Sequence, residues 1–169
     1  MGPQAHREQL DKTLSYVAIG QSEGAELIAG GHRIERDDLA NGYFVEPTVF
    51  AGVGAGMRIA QEEIFGPVAA LIPFDGEEEA IAIANSTPYG LAAGLWSGDT
   101  GRAHRVAARI EAGMVWVNTY RYIRWSTPYG GVKASGWGRE NGIEGLDPFL
   151  ETKTTIISPT GKFADPFAA

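Results

Sequence analysis

From Glu8 to Gly24 the apolar residues Leu10, Leu14, Val17 and Ala18 recur at helical spacing, which predicts an amphipathic helix loosened at its far end by Gly20 and Gly24. The run Glu26-Leu27-Ile28-Ala29, closed by Gly30-Gly31, predicts a short strand, and residues 32–42 a polar loop turning at Asn41-Gly42. Tyr43 to Phe50 reads as the next extended segment. The near-continuous apolar run Val68 to Phe74 predicts a buried strand. Glu77, Glu78 and Glu79 suit the first turn of a following helix, where backbone N–H groups favour negative charge, with Ala80, Ile83 and Ala84 as its inner face. Two further strands, Leu91 to Trp96 and Met114 to Asn118, flank a helix over 101–112 whose Arg102, Arg105 and Arg109 form a solvated outer side.

Strand and helix alternating in this way predict an α/β domain with a mainly parallel sheet and flanking helices over residues 1–150. Within it, 143–150 reads as one or two helical turns interrupted by Asp147-Pro148. Residues 151–158 then alternate as an exposed or edge strand would, and an edge strand invites a partner. The tail 159–169 shows no periodicity.

Composition narrows the function classes. A chain of 169 residues is one domain by size and long enough to bury a core. Its net charge of -7, with no dense Lys/Arg run, argues against nucleic acid and anionic membranes as partners. No apolar run is long enough to span a bilayer and no signal peptide is recognisable, so a cytoplasmic location is the default expectation. The absence of cysteine excludes disulfides, thiolate metal sites and a cysteine nucleophile within these residues. His6, His32 and His104 are too scattered for ligand spacing, so no metal site is expected.

Candidate chemistry concentrates in Glu62-Glu63-Ile64-Phe65-Gly66-Pro67-Val68, where a Gly-Pro turn feeds an apolar run. A carboxylate at a strand entrance can accept two hydrogen bonds from a vicinal diol, and an aromatic two residues on can pack against a heterocycle. The same pattern also describes a solvated acidic turn with Phe65 as ordinary core. The glycine-rich stretch 130–142 could form an anion nest or serve as tight turns, with Lys133 satisfying carbonyls or a carboxylate.

Thr127 to Gly142, following the strand-like Gly113-Met114-Val115-Trp116-Val117-Asn118, joins Tyr43-Phe44-Val45-Glu46-Pro47-Thr48-Val49-Phe50 and Glu63 to Val68 in one order. Together these motifs resemble the aldehyde dehydrogenase superfamily, specifically the C-terminal part of its catalytic domain and its closing oligomerisation strand. The resemblance implies a partial catalytic domain over 1–150 and an oligomerisation strand over 151–158 that crosses to a neighbouring subunit. It further implies oxidation of an aldehyde to a carboxylic acid with NAD or NADP. In the family the cysteine nucleophile, the glutamate base, the oxyanion-binding asparagine and the dinucleotide-binding domain precede the part represented here. No catalytic residue is therefore expected in this chain, and alone it should be inactive.

What carries over is binding. Glu63 matches the glutamate that holds the nicotinamide ribose hydroxyls, and Phe65 the aromatic beside the nicotinamide. Ile123 to Tyr129 matches the loop lining the aldehyde tunnel, giving Ile123, Arg124 and Tyr129 as pocket residues. There, Arg124 and the Tyr129 phenol suit an anionic or polar substrate, unless Arg124 points to solvent. Three readings follow: a fragment of a dehydrogenase, a noncatalytic assembly subunit, or one half of a split enzyme completed by a complementary chain.

Overall fold

The computed structural model describes residues 1–161 apart from Asp37, so the expected tail lies outside the described residues from 162 onward. The first helix, α1 (Arg7–Ser22), begins where the His6 imidazole accepts the Gln9 N–H at 3.3 Å, which satisfies one of the unpaired donors of the first turn. Its buried face is Leu10, Thr13, Val17 and Gly20, one residue class away from the expected stripe, since Ala18 is exposed. Gly20 is required by close approach: a Cβ there would lie 3.1 Å from both Phe50 Cζ and Ile59 Cδ1.

Strand β1 (Glu26–Ala29) pairs antiparallel with β2 (Thr48–Ala51), and β2 pairs parallel with β3 (Val68–Ala70). The link from β2 to β3 passes through a short helix, α2 (Arg58–Gln61), as a parallel pair demands. Against this three-stranded sheet packs one apolar cluster, Val17, Ala25, Phe50, Val53, Ile59 and Ile64, with Phe50 wholly inaccessible.

The second half begins with α3 (Gly76–Asn85) and the short β4 (Tyr89–Gly90). A second crossover follows: β5 (Ala92–Leu95), α4 (Thr100–Arg109) and β6 (Met114–Val117), with β5 and β6 parallel in the register Ala92 opposite Met114 to Leu95 opposite Val117. β7 (Val132–Lys133) returns antiparallel to β4, and a 3-10 helix spans Glu144–Phe149 with Pro148 inside it. The α/β class is thus present, its parallel pairs being the two joined through helices.

Three expectations need correction. The run Val68 to Phe74 is not a buried strand: only 68–70 pair, and Leu71 and Phe74 are exposed. The inner face of α3 centres on Ile81, while Ala84 is exposed. The arginines of α4 are not merely solvated, because Arg102 and Arg105 pair with Glu77 and Arg109 with Glu78, tying α4 to α3. Residues 151–157 lie exposed and pair with no strand among the described residues. No helix among the described residues is long and apolar enough to cross a membrane.

Exposure is unevenly shared. The accessible surface totals 11919 Å², against about 8,100 Å² for a compact monomer of this size. Much of the apolar part lies in the second half, where Trp96, Trp125, Trp137 and Phe149 are open to solvent.

Candidate functional site

The segment from Glu62 to Pro67 leaves α2 and enters β3 as a loop clamped onto α1. Arg58 grips the Glu62 carboxylate with two hydrogen bonds of 2.9 and 2.8 Å, and the Tyr16 hydroxyl donates to the same carboxylate at 2.5 Å. Hydrogen bonding by Arg58, then by Tyr16, pulls the Glu62 pKa down to about 2, while the neighbouring carboxylate pushes the Tyr16 phenol up. Beyond this anchor the backbone carbonyls are taken one after another. Lys12 Nζ donates to Glu63 O at 2.7 Å, and Gln9 Nε2 donates to Ile64 O at 2.8 Å and Phe65 O at 3.2 Å. Gly66 then lies directly on α1, where a Cβ would meet Thr13 Oγ1 at 2.5 Å.

Two side chains are left over by this clamp. The Glu63 carboxylate is exposed and makes no hydrogen bond or ion pair among the described residues. Phe65 is 78% exposed and held at φ 56, a left-handed conformation that a bulky residue adopts only under constraint. A fixed loop thus presents a free acceptor and a bare aromatic face. Ile64, between them, points inward and belongs to the core.

The other expected site residues lie in the second half. Ile123 is exposed, and Arg124 donates through Nε to the Tyr122 hydroxyl at 2.7 Å with its guanidinium 5.1 Å from the Tyr122 ring centre. Tyr129 is half-buried, its backbone paired in both directions with Glu140 at 2.7 Å. Tyr129 lines a cavity of about 570 Å³ with Leu91, Trp137, Arg139 and Phe149, whose lining does not include Ile123 or Arg124. No hydrogen bond, ion pair or ring contact among the described residues joins 62–67 to 123–129. The two stretches are therefore not joined by a direct contact among the described residues.

The glycine-rich stretch works as structure. Arg139 Nη1 donates to Gly131 O and Gly138 O at 3.0 and 2.7 Å, closing the loop on itself. Lys133 donates to the carbonyls of Asn85 and Thr87 and pairs with Glu111 at 2.6 Å, which leaves it no chemical task. The sequence reading missed Gln9, Lys12 and Tyr16. Their spacing along α1 puts them on one helix side, but a polar helix side reads like any solvated face until the loop it holds is known.

Residues 1–155 match the family described as "Aldehyde dehydrogenase family". The chain is 50% identical over 158 residues to an aldehyde dehydrogenase of Deinococcus radiodurans, covering 94% of this chain and 30% of that protein. It is 52% identical over 159 residues to acetaldehyde dehydrogenase 2 of Cupriavidus necator, covering 94% and 31%. Among solved structures, a point mutant of betaine aldehyde dehydrogenase from Staphylococcus aureus in complex with NAD+ superposes with a TM-score of 0.94 at 43% identity, covering 100% of this chain and 34% of that one. The chain thus spans about a third of the length of the relatives it matches.

Proposed function

Because this chain belongs to the aldehyde dehydrogenase family, we propose that it supplies the nicotinamide-facing wall of a site for NAD(P)-dependent oxidation of an aldehyde to a carboxylic acid, with the nucleophile supplied by residues outside it. The observation that carries this reading is the clamped 62–67 loop, with the Glu63 carboxylate free and Phe65 exposed in a left-handed backbone. A carboxylate is acceptor-only and suits the two hydroxyls of a ribose, and an aromatic face keeps water from one side of a heterocycle. The nicotinamide ring, when bound, supplies the hydride acceptor. Glu63 and Phe65 make and break no bonds. Their contribution is orientation, which lowers the barrier only if the loop does not move.

Tyr129 belongs to the aldehyde side, with Ile123 and Arg124 on the same loop. The Arg124 guanidinium lies against Tyr122 and away from the cavity beside Tyr129, so charge selection by Arg124 is the weaker part of the pocket assignment.

The test uses the purified chain with NAD+ or NADP+ and a panel of aldehydes, following reduced cofactor by absorbance. No turnover is expected from the 169 residues alone, which contain no cysteine. Turnover appears when a polypeptide carrying the preceding part of a relative is added, and Glu63→Gln then slows hydride transfer by a factor equivalent to about 1–3 kcal/mol, the loss of a charge-assisted hydrogen bond. Activity that survives repurification of the lone chain, or a Glu63→Gln complex with unchanged single-turnover rates, contradicts the proposal.

A second reading, assembly through 151–158, is favoured by one observation: residues 151–157 are exposed and pair with no strand among the described residues, and Ile156 and Ile157 are 91% and 80% accessible. An exposed segment with two bare isoleucines can add to another sheet edge, in a homo-oligomer or on a complementary dehydrogenase chain. Light scattering on the chain and on a version ending at Leu150 tests it. Association of the first and not the second is expected, and equally monomeric behaviour counts against it.

A further inference from the structure

We propose that Trp116 is a positioning residue for the aldehyde-side loop, fixing the chain on both sides of Arg121 and with it the aim of Ile123; the proposal rests on the reading of 123–129 given above. The chain leaves β6 through two left-handed residues, Asn118 at φ 53 and Arg121 at φ 57. Asparagine tolerates this region when its short side chain finds local backbone partners. Asn118 has them, its carboxamide accepting the Ser97 N–H and donating to Ser97 O, both at 2.9 Å. Arginine has no such tolerance, so the conformation of Arg121 has to be held by its surroundings.

Trp116 supplies that hold from two directions. Its indole Nε1 donates to Tyr122 O at 2.8 Å, and its ring meets Tyr120 in a T-shaped contact, with 5.5 Å between ring centres and 73° between planes. One side chain thus fixes the residues before and after Arg121, and it is itself only 8% exposed in β6. A buried indole N–H without an acceptor is costly, so the bond to Tyr122 O is favoured from the Trp116 side as well as from the loop. The remaining contacts here are exposed cation–π stacks, Arg121 at 5.5 Å from the Tyr120 ring centre and Arg124 at 5.1 Å from that of Tyr122, and these are weaker holds. Ile123 follows directly on the fixed carbonyl. Its direction is therefore set from β6, by a residue that need touch no substrate.

The experiment uses the full chain and two replacements at Trp116: Trp116→Phe, and the benzothienyl isostere of tryptophan, in which sulfur takes the place of the indole N–H and the ring keeps its shape. The backbone carbon shifts of Arg121, which report its φ, are read by NMR. Ala93 and Val115, paired across β5 and β6, serve as internal controls. The isostere should reduce the left-handed population of Arg121 by about fivefold, as expected for the loss of one hydrogen bond, while Ala93 and Val115 stay fixed. Trp116→Phe, which also loses ring contact with Tyr120, should reduce it at least as far. Arg121 shifts that stay left-handed in the isostere, or that move only together with those of Val115, overturn the proposal. Saturation transfer from the Ile123 methyl groups to benzaldehyde is read on the same samples and should weaken in the isostere. A chain in which Arg121 responds to the isostere but Ile123 shows no transfer in either form overturns the aldehyde-side reading and leaves the positioning role standing.

Discussion

Phe50 in the first half of the chain is wholly buried, while Trp137 in the second is 98% exposed, and the contrast extends to their surroundings. Up to Ile72 the helix α1, the strands β1 to β3 and α2 enclose one apolar cluster. From Gly76 to Leu150 only Ile81, Ala103 and Trp116 are buried among the large or small apolar residues, and the ion pairs between α3 and α4 hold together a layer with little beneath it. The lesson is that the same alternation of strand and helix yields a closed core only where the chain supplies both layers. The first half can hold a strained loop in place because it is complete. The second presents aromatic surface of the kind that marks an interaction site.

The largest test of this contrast is a pair of deletions. Phe50→Ala should cost about 3–5 kcal/mol, whereas Trp137→Ala should stay within about 0.5 kcal/mol, both read by urea unfolding followed by circular dichroism. Equal losses would erase the distinction between the halves. A smaller effect comes from adding a methyl group. Gly66→Ala would drive a Cβ into Thr13, 2.5 Å from its Oγ1, and should cost about 1–3 kcal/mol as overpacking. Gly98→Ala meets nothing within 4 Å and should be neutral in the same assay.

The smallest effect is electrostatic. The Glu62 pKa is depressed from 4.5 to about 2 by Arg58 and Tyr16, so the stabilisation of the folded loop is complete above the unfolded value of 4.5 and is lost as pH falls through about 2. The group is solvent-exposed, so the effect is small and weakened by salt. NMR signals of Ile64 and Phe65 should follow this titration with a midpoint near 2. A midpoint near 4.5 would show that the anchor does not hold Glu62.

Local pattern was enough to read most elements. The stretches expected for α1, β1, α3, α4 and β6 agree with the structure to within a few residues, because periodicity and glycine punctuation are local signals. The turn at Glu63 to Phe65 was likewise legible from its Gly-Pro step. What local signals could not show was which partner covers an apolar run. Val68 to Phe74 has the composition of a buried strand, yet Leu71 and Phe74 find no cover among the described residues. Long-range polar pairing was equally hidden: nothing near Arg105 announces Glu77, and nothing near Gln9 announces Ile64. Of the candidate site, the exposed Glu63 and Phe65 side chains were therefore visible and the residues holding their loop were not.

The central claim is that the clamped loop, and not the glycine-rich stretch, is where this chain meets a nicotinamide cofactor. Titrating the isotope-labelled chain with NAD+ while recording amide shifts tests this most directly. The account predicts changes concentrated at residues 62–67 that vanish in Glu63→Gln. Changes centred on 130–142, or a response at 62–67 that Glu63→Gln leaves intact, would contradict it.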